Sequence, residues 1–245
     1  MNNKSYEENK EIVCFIISNG LYNPKTNPSV KDSNDPLFVL QQSQKEIWSK
    51  YMNINPRIKS YFIEYDENIT EDFKQDEDTI YFKGQESIIP GIFLKRQKAI
   101  NFALKNFKNL KYIIQTNLSS FFIWDKMLNL LPANPPKYFL MGKKWSGFPS
   151  GCGTIYAKDV CELISSSSID PSIEHDDCTI GKVLLHNNIH HYDGYYHMSY
   201  DLEKVPFHCY HLRSRIDINI SVEERIDREI PFLKKALEKY YNETV

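Results

Sequence analysis

The apolar pattern opens with EIVCFIIS, Glu11–Ser18, a short uninterrupted run that stops at Asn19-Gly20. Such a run predicts a strand buried on both faces. A loop rich in Pro, Asn and Ser follows to about Pro36, and then Leu40, Ile47 and Tyr51 recur at helical spacing within Leu37–Tyr51. RIKSYFIEYD alternates toward a second strand, and DTIYFKG predicts a third, short one. Between them, the acidic ITEDFKQDED reads as a solvated loop or a short helical turn. Ile92, Leu94 or Lys95, Ala99, Phe102 and Ala103 predict a helix over Gly91–Phe107, and LKYIIQT a central strand after it. That rhythm predicts a parallel sheet with crossover helices.

In KYIIQTNLSSFFI, Lys111–Ile123, the apolar strand breaks at Gln115-Thr116-Asn117 and is expected to run into a helix. FFIWDKMLNLL predicts that helix, stopped by Pro132 and the Pro135-Pro136 pair. KYFLMGKKW reads as a strand, SGFPSGCGTIYA as a glycine-bearing loop entering another strand, and KDVCELISSSS as a helix. EHDDCTIGKVLLHNNI starts acidic and continues as a helix, with Ile180, Val183, Leu184 and Leu185 on its apolar side. Acids at a helix start are stabilised by its dipole, so Glu174, Asp176 and Asp177 have a plain capping explanation. VPFHCYHLRSRIDI reads as a strand or loop, and Val222–Tyr241 as a final amphipathic helix. With no internal repeat and no linker, residues 1–245 are expected to form one domain.

Composition narrows the function classes. The chain has 245 residues, 41% hydrophobic and 25% charged, as in ordinary soluble domains. Thirty basic against 32 acidic residues leave no basic field that would mark nucleic acid as a partner. Sixteen Tyr and 14 Phe suit core packing first and a stacking cleft second. Cys14, Cys152, Cys161, Cys178 and Cys209 contain no CxxC pair and no zinc-type spacing, which predicts free thiols in a reducing compartment. Neither a signal peptide nor a membrane span is expected, so the predicted location is cytoplasmic.

Three stretches of the second half ask for more than folding. Gly151 and Gly153 flank Cys152 in FPSGCGTIYAKDV, which suggests a backbone approached closely by something. EHDDCTIG places Asp177 at a helix start with Gly181 one turn on. In FHCYHLRSR, His208 and His211 bracket an aromatic and precede Arg213 and Arg215, whose strand-like alternation would let the two arginines share one face. Each alone is more often structural than functional. In order, together with TIYFKGQESIIPGIFLKRQKAINFALKNFKNLKYIIQTNLSS, they resemble the β-1,3-galactosyl- and N-acetylglucosaminyltransferases (fringe-like enzymes) of glycosyltransferase family 31. The likeness runs from about Ile12 to Leu212. Phe148-Pro149, Gly151 and Gly153–Ala157 stand in that family's glycine loop, and Asp176–Gly181 in its acidic motif. QSQKEIWSKY, through Ile47 and Trp48, is similar to its N-terminal helix.

The resemblance implies a GT-A-like α/β fold with a Rossmann-like, mostly parallel central sheet. It implies a nucleotide-sugar-binding half over about 11–120, an acceptor half over about 121–220, and a C-terminal helix over 221–245. It further implies inverting transfer from a nucleotide sugar, a UDP-sugar by preference, to a glycan or other hydroxyl acceptor. Asp177 would be the base, with Asp176 beside it. Asn117, Ser119, Lys95, His208, His211, Arg213 and Arg215 would be donor contacts, and Trp145, Phe148, Gly151 and Gly153 would form the acceptor side. The departure is at Asn117-Leu118-Ser119, which falls where the family carries its metal-binding aspartates. Amide and hydroxyl groups hold Mn²⁺ or Mg²⁺ far more weakly than carboxylates do, leaving at most a weak ion held with the donor diphosphate. Two readings follow. Arg213 and Arg215 replace the metal, or the fold survives as an inactive nucleotide-sugar- or glycan-binding protein.

Overall fold

In the computed structural model, which describes residues 10–30, 34–145, 148–172 and 174–245, IVCFII forms β1 (Ile12–Ile17). Ser146-Gly147 of the glycine-bearing segment and the first nine residues lie outside the described residues. The apolar run of β1 is continuous because both its faces are covered. Ile12, Cys14 and Ile16 join one core layer, and Val13 and Phe15 join the other. Helix α1 (Pro36–Tyr51) starts at Asp35, whose carboxylate accepts from the Leu37 N–H, with Pro36 in the first turn. It buries the stripe Leu40, Gln44, Ile47, Trp48 and Tyr51. β2 (Ile58–Asp66), β3 (Phe73–Asp76), β4 (Thr79–Lys83), α2 (Gly91–Asn106) and β5 (Tyr112–Asn117) complete the first half.

The second half adds β6 (Ser120–Phe122), α3 (Trp124–Leu130), β7 (Leu140–Trp145), β8 (Phe148–Ala157), α4 (Lys158–Ser166) and α5 (Asp176–His186). β9 (Tyr192–Asp193), β10 (Tyr196–His197), β11 (His211–Arg213) and α6 (Val222–Tyr241) follow. The main sheet has the order β3-β4-β2-β1-β5-β8-β7-β9, and a small sheet has the order β10-β11-β6. β4, β2, β1 and β5 are mutually parallel, while β8 runs antiparallel between β5 and β7. Helices α1, α3 and α6 contribute to the core on one face, and α2, α4 and α5 to that on the other. This is the expected single α/β domain, a mostly parallel sheet between helices. Among the described residues, no helix is long and apolar enough to cross a membrane, and all five cysteines are free.

Four local expectations change. FKQD within the acidic ITEDFKQDED is the edge strand β3, anchored by Phe73 packing edge-on against Phe102 of α2 at 5.1 Å. Phe121-Phe122, expected to open a helix, belong instead to β6, because that segment pairs with β11, so α3 begins only at Trp124. The glycine-bearing segment, expected as a loop, is strand from Phe148 onward, paired on both sides. Leu185 is 76% exposed, since the buried stripe of α5 runs through Ile180, Val183 and Leu184. The abundant aromatics are largely core. Tyr51, for example, lies 4.4 Å from Phe121 and 5.0 Å from Tyr241 between ring centroids.

Candidate functional site

In open parallel sheets, ligands collect beyond the carboxyl ends of the strands, where the connections diverge to opposite faces. Here that point lies between β1 and β5. The chain leaves β1 through α1 on one face and reaches β5 through α2 on the other. Ile17 and Asn117 end the two strands in register. Two depressions open there, of about 340 and 230 Å³, and both are walled by Ile17 and Ile92. The larger is lined by Ser18, Asn19, Leu21, Gln41, Ile88 and Lys95 among others. The smaller brings together Arg96, Asn117, Gly151, Asp176, Asp177 and Arg213.

The acid end of the smaller depression is built by three elements. Asp177, in the first turn of α5, accepts a hydrogen bond from the Gly151 N–H of β8 at 2.8 Å. Arg96 of α2 is 2% exposed and donates to the Gly151 carbonyl at 3.0 Å. Its Nε lies 3.0 Å from Asp176 Oδ2, and its Nη1 lies 3.7 Å from Asp177 Oδ1. Both acids stand in the first turn of α5, where the helix dipole favours them as expected, and their contacts with Arg96 and Gly151 come in addition. Burial pushes the Asp177 carboxyl up to about 6, against the Arg96 charge and with help from Asp176.

The motif glycines are explained by close approach. A Cβ on Gly151 would sit 2.4 Å from Asp177 Oδ1 and 2.5 Å from Arg96 Nη2. One on Gly153 would sit 2.6 Å from the His211 ring, and one on Gly181 1.9 Å from the Phe148 ring. Gly181→Ala must therefore displace Phe148 from α5 and is expected to destabilise the fold by about 1–3 kcal/mol, read by denaturant unfolding. An unchanged midpoint would mean that this contact is absent.

The opposite end is cationic. Arg213 Nη1 donates to Asn117 Oδ1, an acceptor that also takes a bond from Ser119 Oγ at 3.1 Å. The turn after Asn117 is fixed from beneath. Trp48 Nε1 donates to the Leu118 carbonyl at 3.0 Å, and Ser214 donates to the Ser119 carbonyl through both N–H and Oγ at 2.9 Å. Ser214 in turn reaches Glu229, a fully buried acid of α6 that also accepts from Arg225 at 2.6 Å and Gln44 at 2.9 Å. Arg215 lies beyond the end of β11, so the expected strand alternation with Arg213 stops at Arg213, and Arg215 lines neither depression. Its Nε is buried and bonded to nothing among the described residues. Burial, with Arg225 and Arg213 nearby, holds its guanidinium below the ordinary range.

The oxygen set does not suit a divalent cation. Asn117 Oδ1 already faces a guanidinium, and Asp176 and Asp177 share Arg96. Among the described residues, no group of three His, Cys, Asp or Glu side chains is placed to hold a metal ion. A hard cation needs several such oxygens around it.

Other predicted positions fall outside this constellation. Lys95 is 1% exposed, ion-paired to Glu86 at 2.7 Å and bonded to the Ser18 carbonyl at 2.9 Å, so its charge is spent within the wall of the larger depression. His211 is buried flat on Phe122 at 4.6 Å, and burial, reinforced by Arg213, drives its imidazole down to about 3. It stays neutral. His208 is exposed against Tyr195 and Phe207 and lines neither depression. Trp145 is 64% exposed at the end of β7, and Phe148 packs on Gly181. Arg96 and Glu229 were not singled out from the sequence, although a signal existed. Each puts a charge on the buried stripe of its helix, Phe93-Arg96-Ile100-Ala103 in α2 and Glu229-Leu233-Ala236 in α6.

No protein-family model matches the sequence, and no curated protein matches it. Among solved structures, the chain is similar to a glycosyltransferase involved in the glycosylation of the major capsid of PBCV-1. That likeness has 12% identity, covers 89% of this chain and 97% of the other, and has a TM-score of 0.49. It is also similar to the catalytic domain of Drosophila beta1,4galactosyltransferase 7, at 8% identity, 75% and 64% coverage and a TM-score of 0.41. A third likeness is to a protein from Desulfovibrio desulfuricans G20 described as a nucleotide-diphospho-sugar transferase, at 8% identity, 75% and 79% coverage and a TM-score of 0.44. Identities and scores this low assign no residue, and the site is read from this chain's own side chains.

Proposed function

We propose that this protein is a GT-A-like glycosyltransferase that moves a sugar from a nucleotide sugar, a UDP-sugar by preference, to a hydroxyl acceptor with inversion. The observation that carries the reading is the convergence of three distant stretches. The glycine segment grips Asp177, and both share one depression with the Asn117–Arg213 pair at the carboxyl ends of β1 and β5. The nucleoside belongs in the larger depression, between Leu21 and Ile88, with the diphosphate passing Ile17 toward Arg213. The sugar then lies between Arg213 and Asp177. As the acceptor oxygen bonds to the anomeric carbon, Asp177 takes its proton. The bond from that carbon to the phosphate oxygen breaks, and the diphosphate leaves with the electron pair. A carboxylate near pH 6 is well matched to proton acceptance at neutral pH. A guanidinium fork meets the charge that develops on the leaving phosphate.

A panel of nucleotides and nucleotide sugars tests the donor assignment by thermal shift, with and without Mn²⁺ and EDTA. Binding to the folded state alone raises stability by about 2.7 kcal/mol at a hundredfold excess over Kd, so a true donor gives a clear shift. No shift with any nucleotide at millimolar concentration overturns the proposal. Asn117 and Ser119, standing in place of acids, favour the second reading of an inactive binder. A donor that binds but is never turned over or hydrolysed would establish that reading instead.

A further inference from the structure

Arg96 sits where all the parts of the acid end meet. One guanidinium spans Asp176 and Asp177 of α5 and the Gly151 carbonyl of β8, and the Arg96 carbonyl accepts from Gln115 of β5 at 3.2 Å. Arg96 and Asp177 hold Gly151 from its two sides, one through the carbonyl and the other through the N–H. We infer that Arg96 is a positioning residue that aims Asp177 into the cleft and divides the acid pair, with Asp176 as the standing counter-ion and Asp177 as the carboxylate left to take a proton. This rests on the transferase reading of the same site.

The division follows from distance and exposure. Arg96 stands 3.0 Å from Asp176, whose side chain is 12% exposed, and 3.7 Å from Asp177, whose side chain is 37% exposed, and both acids line the depression. A buried guanidinium does not deprotonate, so its charge is permanent and one carboxylate of the two must remain under-compensated. The groups facing Asp177 are few. Arg96 comes from α2, Asp176 from α5, the Gly151 N–H and the buried Tyr156 hydroxyl from β8, and Arg213 lines the same depression from β11. Arg96 heads those that favour the ionised form. Its fork also fixes the Gly151 peptide, which a point charge on a flexible stem does poorly.

The experiment compares the full chain with Arg96→Gln and Arg96→Lys. The Asp177 carboxyl is titrated by carbon-detected NMR, with Asp177→Asn identifying its resonance, and the pH–rate profile is recorded with the turned-over donor. In Arg96→Gln, the Asp177 midpoint and the acid limb of kcat/KM should both move up by about one pH unit, because an opposite charge within reach has been removed. Arg96→Lys should keep the midpoint near that of the unmodified chain and lose about tenfold in kcat, since charge returns without the fork. Donor Kd should change less than threefold in either. An unmoved midpoint in Arg96→Gln would overturn the inference, as would a tenfold loss of donor affinity in its place. Should Arg96→Gln fail to fold, an Arg96→Lys midpoint raised by a unit or a kcat left unchanged overturns it equally. If no donor is turned over at all, the transferase reading fails on its own, and the titration still decides the role of Arg96.

Discussion

Asp177→Asn is expected to lower transfer by about 10²–10⁴-fold while leaving donor affinity nearly unchanged, because only proton acceptance is lost. The unmodified protein should show activity that rises with pH up to about 6 and then levels, as the Asp177 carboxyl ionises. The same shift has a stability consequence of definite sign. In the folded chain this carboxyl binds its proton more tightly than it does unfolded, so its favourable contribution is complete below the ordinary carboxylate range. It is lost as pH rises through about 6. At pH 8 the ionised Asp177 is therefore a liability, and Asn removes it while still offering an oxygen to the Gly151 N–H. Asp177→Asn should melt at or above the unmodified chain at pH 8, by ~1 kcal/mol or about 2–4 °C, and lose that advantage at pH 4.5. A melting temperature that falls at both pH values would make Asp177 a structural residue, and retained transfer would move the base to another group.

Much of this arrangement is legible in the sequence, and the reason differs from element to element. β1 declares itself because a strand covered on both faces is apolar throughout, and α6 because its charged and apolar residues separate onto two faces. The glycines point to close approach correctly, but what approaches is not written beside them. Asp177 is 26 residues from Gly151, and His211 is 58 from Gly153. The glycine segment reads as a loop because glycine disfavours strands, yet pairing with β5 and β7 overrides that preference. β6 is hidden for the same reason. Its three residues have no periodicity of their own and are made a strand by β11, some 90 residues downstream.

The site residues follow the same division. Arg213 is found by its alternation with Arg215 and does reach the strand end that carries Asn117. His208 and His211 share that stretch, but one faces solvent and the other is sealed beneath Gly153, a distinction set by strand pairing and absent from spacing. Lys95 and Arg96 are adjacent and of like charge, so the helix alone does not tell which enters the acid cleft. A turn of 100° per residue sends Lys95 to Glu86 and Arg96 to the two aspartates.

Arg213→Ala should weaken donor binding by about 2–4 kcal/mol, roughly 30- to 700-fold, while EDTA leaves it unchanged. The identity of residue 117 explains why the guanidinium is available for that task. Asn117 Oδ1 accepts from Arg213 Nη1 and orients it, yet a neutral amide takes none of its charge. A carboxylate at the same point would close an ion pair in a half-buried place, and the donor diphosphate would then have to compete with it. Asn117→Asp should accordingly reduce donor affinity in the absence of metal, in the same direction as Arg213→Ala although less severely. The double variant Asn117→Asp with Arg213→Ala removes the competing cation and leaves a free acid at the strand end. If that strand end occupies the position where the enzymes that the sequence resembles hold a metal, Mn²⁺ should restore part of the donor affinity in the double variant and do little in either single one. Calorimetric titration of the donor into the four proteins, each with Mn²⁺ and with EDTA, gives the complete cycle. Indifference to Arg213 together with full sensitivity to EDTA in the unmodified chain would overturn the arginine assignment. Tighter metal-free binding by Asn117→Asp would show that the amide is not there to keep the guanidinium free.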